Sequence, residues 1–99
     1  VATLETFWGS EAELENRQRL FLAVAAYAYE YMDTSLMSDE DFDKECRAVR
    51  LELDTNYPEW DKWWREHFTP DTGIWIRHHP DPAGLRAYVE RFLNDGIAD

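Results

Sequence analysis

From Glu11 to Met32 the chain carries neither glycine nor proline, the two residues that most readily end a helix. Leu14, Phe21, Ala25, Ala28 and Met32 recur at helical spacing on one face, and Leu20, Val24, Tyr27 and Tyr31 recur on the adjoining one. Ser10 and Glu13 have the spacing of a capping box. Glu11, Glu13 and Glu15 put negative charge where the helix dipole favours it. The pattern predicts a helix over about 10–32, roughly 33 Å long at the rise of an α-helix. An apolar surface that wide needs more than one neighbour, so the remaining segments must pack around this helix.

Those segments also read as helices. Ser38 is an N-cap candidate, with Asp39, Glu40 and Asp41 in the first turn. Phe42, Cys46, Val49 and Leu53 then make a narrow apolar stripe, predicting a second helix over 38–55. The short connection at 33–37 makes the two helices an antiparallel or steeply crossed pair. Pro58 at a first-turn position opens a third helix over 58–67, dense in aromatics at Trp60, Trp63 and Trp64, with Phe68 just after. A turn at Thr69-Pro70-Asp71-Thr72-Gly73 leads to Ile74-Trp75-Ile76, which could form one extended strand with no sheet to join. Asp81-Pro82 caps a last helix over 82–94, with Leu85, Tyr88, Val89, Phe92 and Leu93 on one face and Gly96 as its stop. The expected fold is all-α: a helix-turn-helix pair and two shorter helices in one domain over 1–99. Phe7 and Trp8 are expected to fold back on the first helix.

Charge and cysteine usage narrow the function. The net charge of −11 disfavours direct contact with nucleic-acid phosphates and with anionic membranes, and suits a basic protein partner or a cation. No apolar run approaches the ~20 residues that span a bilayer. The single cysteine, Cys46, has no internal disulfide partner, so the chain reads as intracellular, with a cytoplasmic location. Its place on the apolar stripe marks it as core filler.

Most catalytic chemistry lacks its residues. A calcium loop starting at Asp39 needs glycine and glutamate where Lys44 and Arg50 stand. His67, His78 and His79 lack the spacing of a zinc site. There is no glycine-rich phosphate loop, no Gly-x-Ser-x-Gly elbow and no Lys-x-Asp-Gly nucleotidyl acceptor. A non-catalytic role is expected. The segment from Tyr27 to Cys46 is the more informative one, with three tyrosines and seven acids against Lys44 alone. Tyr27 and Tyr31 share a face and fit a core. Tyr29 points elsewhere, as either an amphipathic surface tyrosine or a platform for a flat ring.

These residues carry a resemblance. Tyr27-Ala-Tyr-Glu-Tyr-Met-Asp33, then Ser38-Asp39-Glu-Asp-Phe-Asp43, then a helix ending in Asn56-Tyr57-Pro58-Glu59, resembles the N-terminal domain (domain Ia) of NAD-dependent DNA ligases. That family runs Tyr-x-Tyr-His-x-x-Asp, then Asp-x-x-Tyr-Asp, a helix, and His-Pro-Glu-Leu. Its later Thr-Pro-Asp is matched by Thr69-Pro70-Asp71 after a tryptophan-rich insertion. The resemblance covers about 14–71 and leaves 72–99 as a C-terminal helical extension. In the ligases this domain closes over the nicotinamide mononucleotide half of NAD, beside a separate adenylation domain whose lysine motif does not occur in these residues. The resemblance implies that Tyr29 stacks on the nicotinamide ring, that Asp39 and Asp43 bind ribose or phosphate-side groups, and that Glu30 and Phe42 stand where the family has histidine and tyrosine. Phe42 lacks one hydroxyl contact, worth about 0.5–1.5 kcal/mol. Glu30 favours a cationic ring and repels a phosphate. Weak binding of NAD or nicotinamide mononucleotide is therefore expected, with no tightly bound cofactor.

A second reading uses the same scaffold differently. An acidic interaction or inhibitor protein, of phage or mobile-element type, would mimic nucleic-acid charge and bind a basic partner. Trp60, Trp63 and Trp64 would serve as partner-binding residues if the rest of the chain, Phe7-Trp8 and the last helix included, left them uncovered.

Overall fold

Ser10 begins the first helix as its spacing predicts: its backbone is extended and its Oγ accepts the Glu13 N–H at 3.2 Å. The computed structural model describes residues 10–70 and 72–97. Phe7, Trp8 and Asp71 lie outside the described residues. Helix α1 spans Glu11–Met32, α2 Asp39–Arg47, α3 Pro58–His67 and α4 Pro82–Ile97, with a 3-10 turn at Ile74–His78. No strand occurs among the described residues, and the fold is all-α.

Helix α1 is the axis of the molecule. Every residue from Leu22 to Ala28 is buried, so this part of the helix has no solvent face. Helix α4 packs along it, and the 3-10 turn and α2 take other sides. The expected apolar faces are only partly the ones used. Val24, Ala25, Tyr27 and Ala28 are core, but Leu14, Leu20, Phe21 and Tyr31 are all more than a third exposed. The neighbours instead close on the small side chains of Ala23, Ala25, Ala26 and Ala28, which let helix axes approach. The large apolar residues are left at the edges of the contact.

The helix ends at Asp33, the one non-glycine residue with positive φ among those described (φ 49°). Its N–H and that of Thr34 both donate to the Ala28 carbonyl. This left-handed cap satisfies the helix end and reverses the chain toward α2.

Helix α2 starts as expected, with Ser38 Oγ accepting the Asp41 N–H at 3.1 Å. It stops at Arg47, well short of the expected 55. The cause is a buried ion cluster. Arg19, 2% exposed, donates from Nε to Glu15 at 2.8 Å and from Nη1 to Asp61 at 2.9 Å. Its Nη2 reaches the carbonyls of Arg50 at 2.6 Å and Leu53 at 3.2 Å. Glu15 in turn accepts the Arg50 N–H, and Asp61 accepts both the N–H and the hydroxyl of Thr55. Backbone groups that a longer helix would bond internally are drawn out to satisfy buried charge.

The segment Ile74–His78 forms a 3-10 turn rather than an extended strand. Ile76 N–H donates to Gly73 and His79 N–H to Ile76, so the segment meets its backbone needs locally, with no sheet required. It drives Trp75 and Ile76 into the core. Helix α4 continues through Gly96 to Ile97, beyond the expected stop. Its inner face is Leu85 and Val89, while Tyr88 and Phe92 are about half exposed. Phe92 meets Phe21 edge to face at 6.3 Å. No described helix is long and apolar enough to cross a membrane.

Candidate functional site

The five residues Tyr29, Glu30, Asp39, Phe42 and Asp43 line one cleft of about 380 Å³. Tyr29 and Glu30 come from the last turns of α1; Asp39, Phe42 and Asp43 come from α2, one helical turn apart. The tight left-handed exit at Asp33 is what brings the two sets face to face. The floor is apolar, built from Ala25 and Ala26 of α1 and the half-buried Phe42 ring. The connection adds Leu36 and Met37, and the start of the 3-10 turn closes the far side with Gly73 and Ile74. Gly73 lies over the Phe42 ring: a Cβ built there would meet Cζ at 3.7 Å.

Tyr29 is 63% exposed, with one face of its surroundings open to the cleft. It is a surface tyrosine, whereas Tyr27 is core and stacks obliquely on Tyr31 at 4.9 Å. Asp39 and Asp43 are exposed, line the cleft, and their carboxylates accept no hydrogen bond from any described residue. Glu30 is different. Arg77 of the 3-10 turn donates to its Oε1 from Nε at 2.8 Å and also from Nη2. The charge that would repel a phosphate is thus already matched by a cation at the cleft edge. Arg77, Gly73 and Ile74 were not legible as site residues in the sequence; the sole clue was that Glu30 on a largely buried helix needs a partner.

Cys46 packs in the core on the inner side of α2. It is buried, and burial, reinforced by Asp43, pushes its thiol up to about 11, so it stays protonated at neutral pH. The three histidines are spent on aromatic contacts: His67 stacks on His78 at 5.1 Å, and His79 stacks on Trp60 at 5.0 Å. Among the described residues no group of three or more His, Cys, Asp or Glu side chains is placed to hold a metal ion.

The tryptophans divide. Trp64 is core, packed on Phe68 and Trp75 at about 5 Å. Trp63 is half-buried, its indole N–H donating to the His78 carbonyl at 3.0 Å. Trp60 is half-buried against Trp63 and His79. The 3-10 turn supplies much of this cover, so the three do not form one exposed patch. Neither a protein-family model, nor a curated protein, nor a solved structure matches this chain.

Proposed function

We propose that this domain is a non-catalytic binding module that holds a flat cationic ring, the nicotinamide of nicotinamide mononucleotide or NAD, in the α1–α2 cleft. The observation that carries the reading is the convergence of Tyr29, Glu30, Asp39, Phe42 and Asp43 on one cleft, three of them separated from the other two by the connection and the left-handed cap. A ring seated on Ala25, Ala26 and Phe42 has Tyr29 beside it as an aromatic wall. Asp39 and Asp43 offer free acceptors to ribose hydroxyls and negative charge to the pyridinium. Aromatic faces and carboxylates both attract a cation. The cleft is near the small end of ligand sites, which run roughly 300–1,000 Å³, a size for a mononucleotide rather than a dinucleotide. The ligase resemblance points the same way.

The test is a heteronuclear NMR titration with nicotinamide mononucleotide, nicotinamide riboside and NAD. Shifts confined to Tyr29, Asp39, Asp43 and Gly73 support the reading. The riboside, lacking phosphate, should bind at least as well as the mononucleotide, because the free acids outnumber the free cations at the cleft. Arg77→Ala should widen that preference by uncovering Glu30. Unmoved resonances in 27–46 at millimolar ligand overturn the proposal.

A second reading has its own support. Asp39, Glu40, Asp41 and Asp43 are all exposed on α2, a ridge of negative charge on a chain of net charge −11. Such a ridge suits a basic protein partner whose normal ligand is a nucleic acid. Binding that weakens steeply with salt and is competed by DNA supports this reading; binding indifferent to both counts against it.

A further inference from the structure

A second cleft, of about 360 Å³, opens on a different part of α1, and neither reading above uses it. Its walls are aromatic: Tyr57 from the turn before α3, Trp60 from α3 and Tyr88 from α4. Tyr57 and Tyr88 are each about half exposed, and their rings border open space rather than core. Trp60 is fixed by stacking on His79, with ring planes 27° apart, and by an edge contact with Trp63. Three aromatic side chains from three elements therefore border one space.

The charges at this cleft have one sign available. Arg19 lies at its back, but its Nε and both Nη groups are committed to Glu15, Asp61 and two backbone carbonyls, and it is 2% exposed. Four of its five N–H donors are taken and the group is buried, so it offers little to an anion. Asp81, at the mouth, caps α4 through Oδ1, which accepts the Gly84 N–H at 3.1 Å. Its Oδ2 meets no donor among the described residues. Gly84 is what allows this carboxylate to lie over the first turn of α4, because a side chain there would collide with it. Burial depresses the His79 pKa against the pull of Asp81, and its Nδ1 accepts the Asp81 N–H at 3.0 Å. The cleft thus presents aromatic faces and a free carboxylate oxygen, with no uncommitted positive charge.

We propose that this cleft binds an alkylated ammonium group, held by cation–π contact with Tyr57, Trp60 and Tyr88 and by the charge of Asp81. Aromatic faces attract such cations through the ring quadrupole, and methylation removes the hydrogen bonds that would otherwise keep an ammonium in water. A bare carboxylate on an apolar wall does not select between cations; the aromatic border does. The group can arrive on a free small molecule or on a methylated lysine of a peptide, and the chemistry of recognition is the same.

The experiment is an NMR titration of the whole chain, following the Trp60 indole and the Tyr57 and Tyr88 rings. The probes are choline, its uncharged isostere 3,3-dimethylbutan-1-ol, and a short peptide bearing trimethyl-lysine. Choline or the peptide should shift these three residues, and the isostere should bind at least about tenfold more weakly, or not at all. Whichever charged probe binds tighter names the source. Tyr88→Ala, at an exposed position, should weaken the charged probe by about tenfold, while Tyr88→Phe retains the ring and the affinity. Tyr29→Ala should leave this titration unchanged, which separates it from the α1–α2 cleft. Equal binding of the uncharged isostere overturns the proposal. So does the absence of shifts at Trp60, or shifts that appear at Tyr29 instead.

Discussion

The two halves of α1 hold their neighbours by different physics. Toward its N-terminus, Glu15 and Arg19 bury charge and fix the 48–57 segment and α3 through an ion cluster. Toward its C-terminus, Leu22 to Ala28 are buried mainly by apolar contact, with alanines setting the distance, and the Tyr27 side chain adds a polar contact, with Arg86. The first half is specific and unforgiving: each member satisfies the others, and removing one strands the rest. The second half is graded, because a changed side chain alters volume without orphaning a charge. One helix therefore carries both a connector that fixes where a chain segment goes and a surface that merely needs to be narrow.

The largest effect expected from this contrast is at Arg19. Arg19→Ala leaves Glu15 and Asp61 buried without their cation and should cost about 3–5 kcal/mol, read from the urea midpoint. Replacing all three charged residues by apolar ones should not restore stability here. Glu15 and Asp61 also accept the backbone N–H groups of Arg50 and Thr55, which would then lose their partners in a partly buried setting. A triple apolar variant as stable as the parent would show that the cluster does not hold the 48–57 segment in this way. In the other half, Ala28→Leu should cost about 1–3 kcal/mol by overpacking, a smaller and more variable loss.

Acid should act on the first half selectively. Burial works to raise the Asp61 carboxyl, but the Thr55 hydroxyl and amide and the charges of Arg19 and Arg65 outweigh it and hold Asp61 below its ordinary 3.8. A carboxyl depressed in the fold contributes stability that is complete above its unfolded value and is lost as pH falls through the folded one. Stability should therefore decline as pH drops below about 4, and Asp61→Asn should flatten that decline while lowering stability at neutral pH. A parent whose urea midpoint is level between neutral pH and pH about 3 would refute the assignment.

Two substitutions at the open end of α1 sharpen the contrast from below. Tyr29→Ala should change stability by less than about 0.5 kcal/mol, since the ring is largely in solvent. A large loss of melting temperature would make Tyr29 part of the core rather than of a site. Asp33→Gly should be neutral or stabilising by up to about 1 kcal/mol, because glycine enters the left-handed region without a Cβ penalty.

This division also explains what the sequence could convey. The caps at Ser10 and Ser38, the start of α3 at Pro58 and the glycine-free span of α1 were legible, because each depends on residues within a few positions. Tyr29, Glu30, Asp39, Phe42 and Asp43 lie in one short stretch, so a helix-turn-helix alone brings them near one another, whereas Gly73 and Ile74 on the far side of the cleft come from distant sequence. The early end of α2 was not legible, because its cause lies in Glu15, Arg19 and Asp61, far away along the chain. Nor was the 3-10 turn, since Ile74-Trp75-Ile76 has the composition of a strand and only the lack of a sheet argued otherwise. The alanine face of α1 is faint in the sequence, because periodicity shows in large side chains while close packing between helices uses small ones.

The turn at Ile74–His78 ties these themes together. Trp75 and Ile76 anchor it in the core, while Gly73, Ile74 and the ion pair of Arg77 border the α1–α2 cleft. The wall of the cleft is therefore the outer side of a buried anchor. A wall so anchored cannot swing aside without withdrawing Trp75, an event akin to global unfolding. The amides of this short turn should exchange with solvent nearly as slowly as those of α1, despite their place at the surface of a cleft. A ligand there meets a shape that is set in advance, gives up little conformational entropy in the protein on binding, and leaves at a rate governed by its own contacts rather than by the opening of a gate.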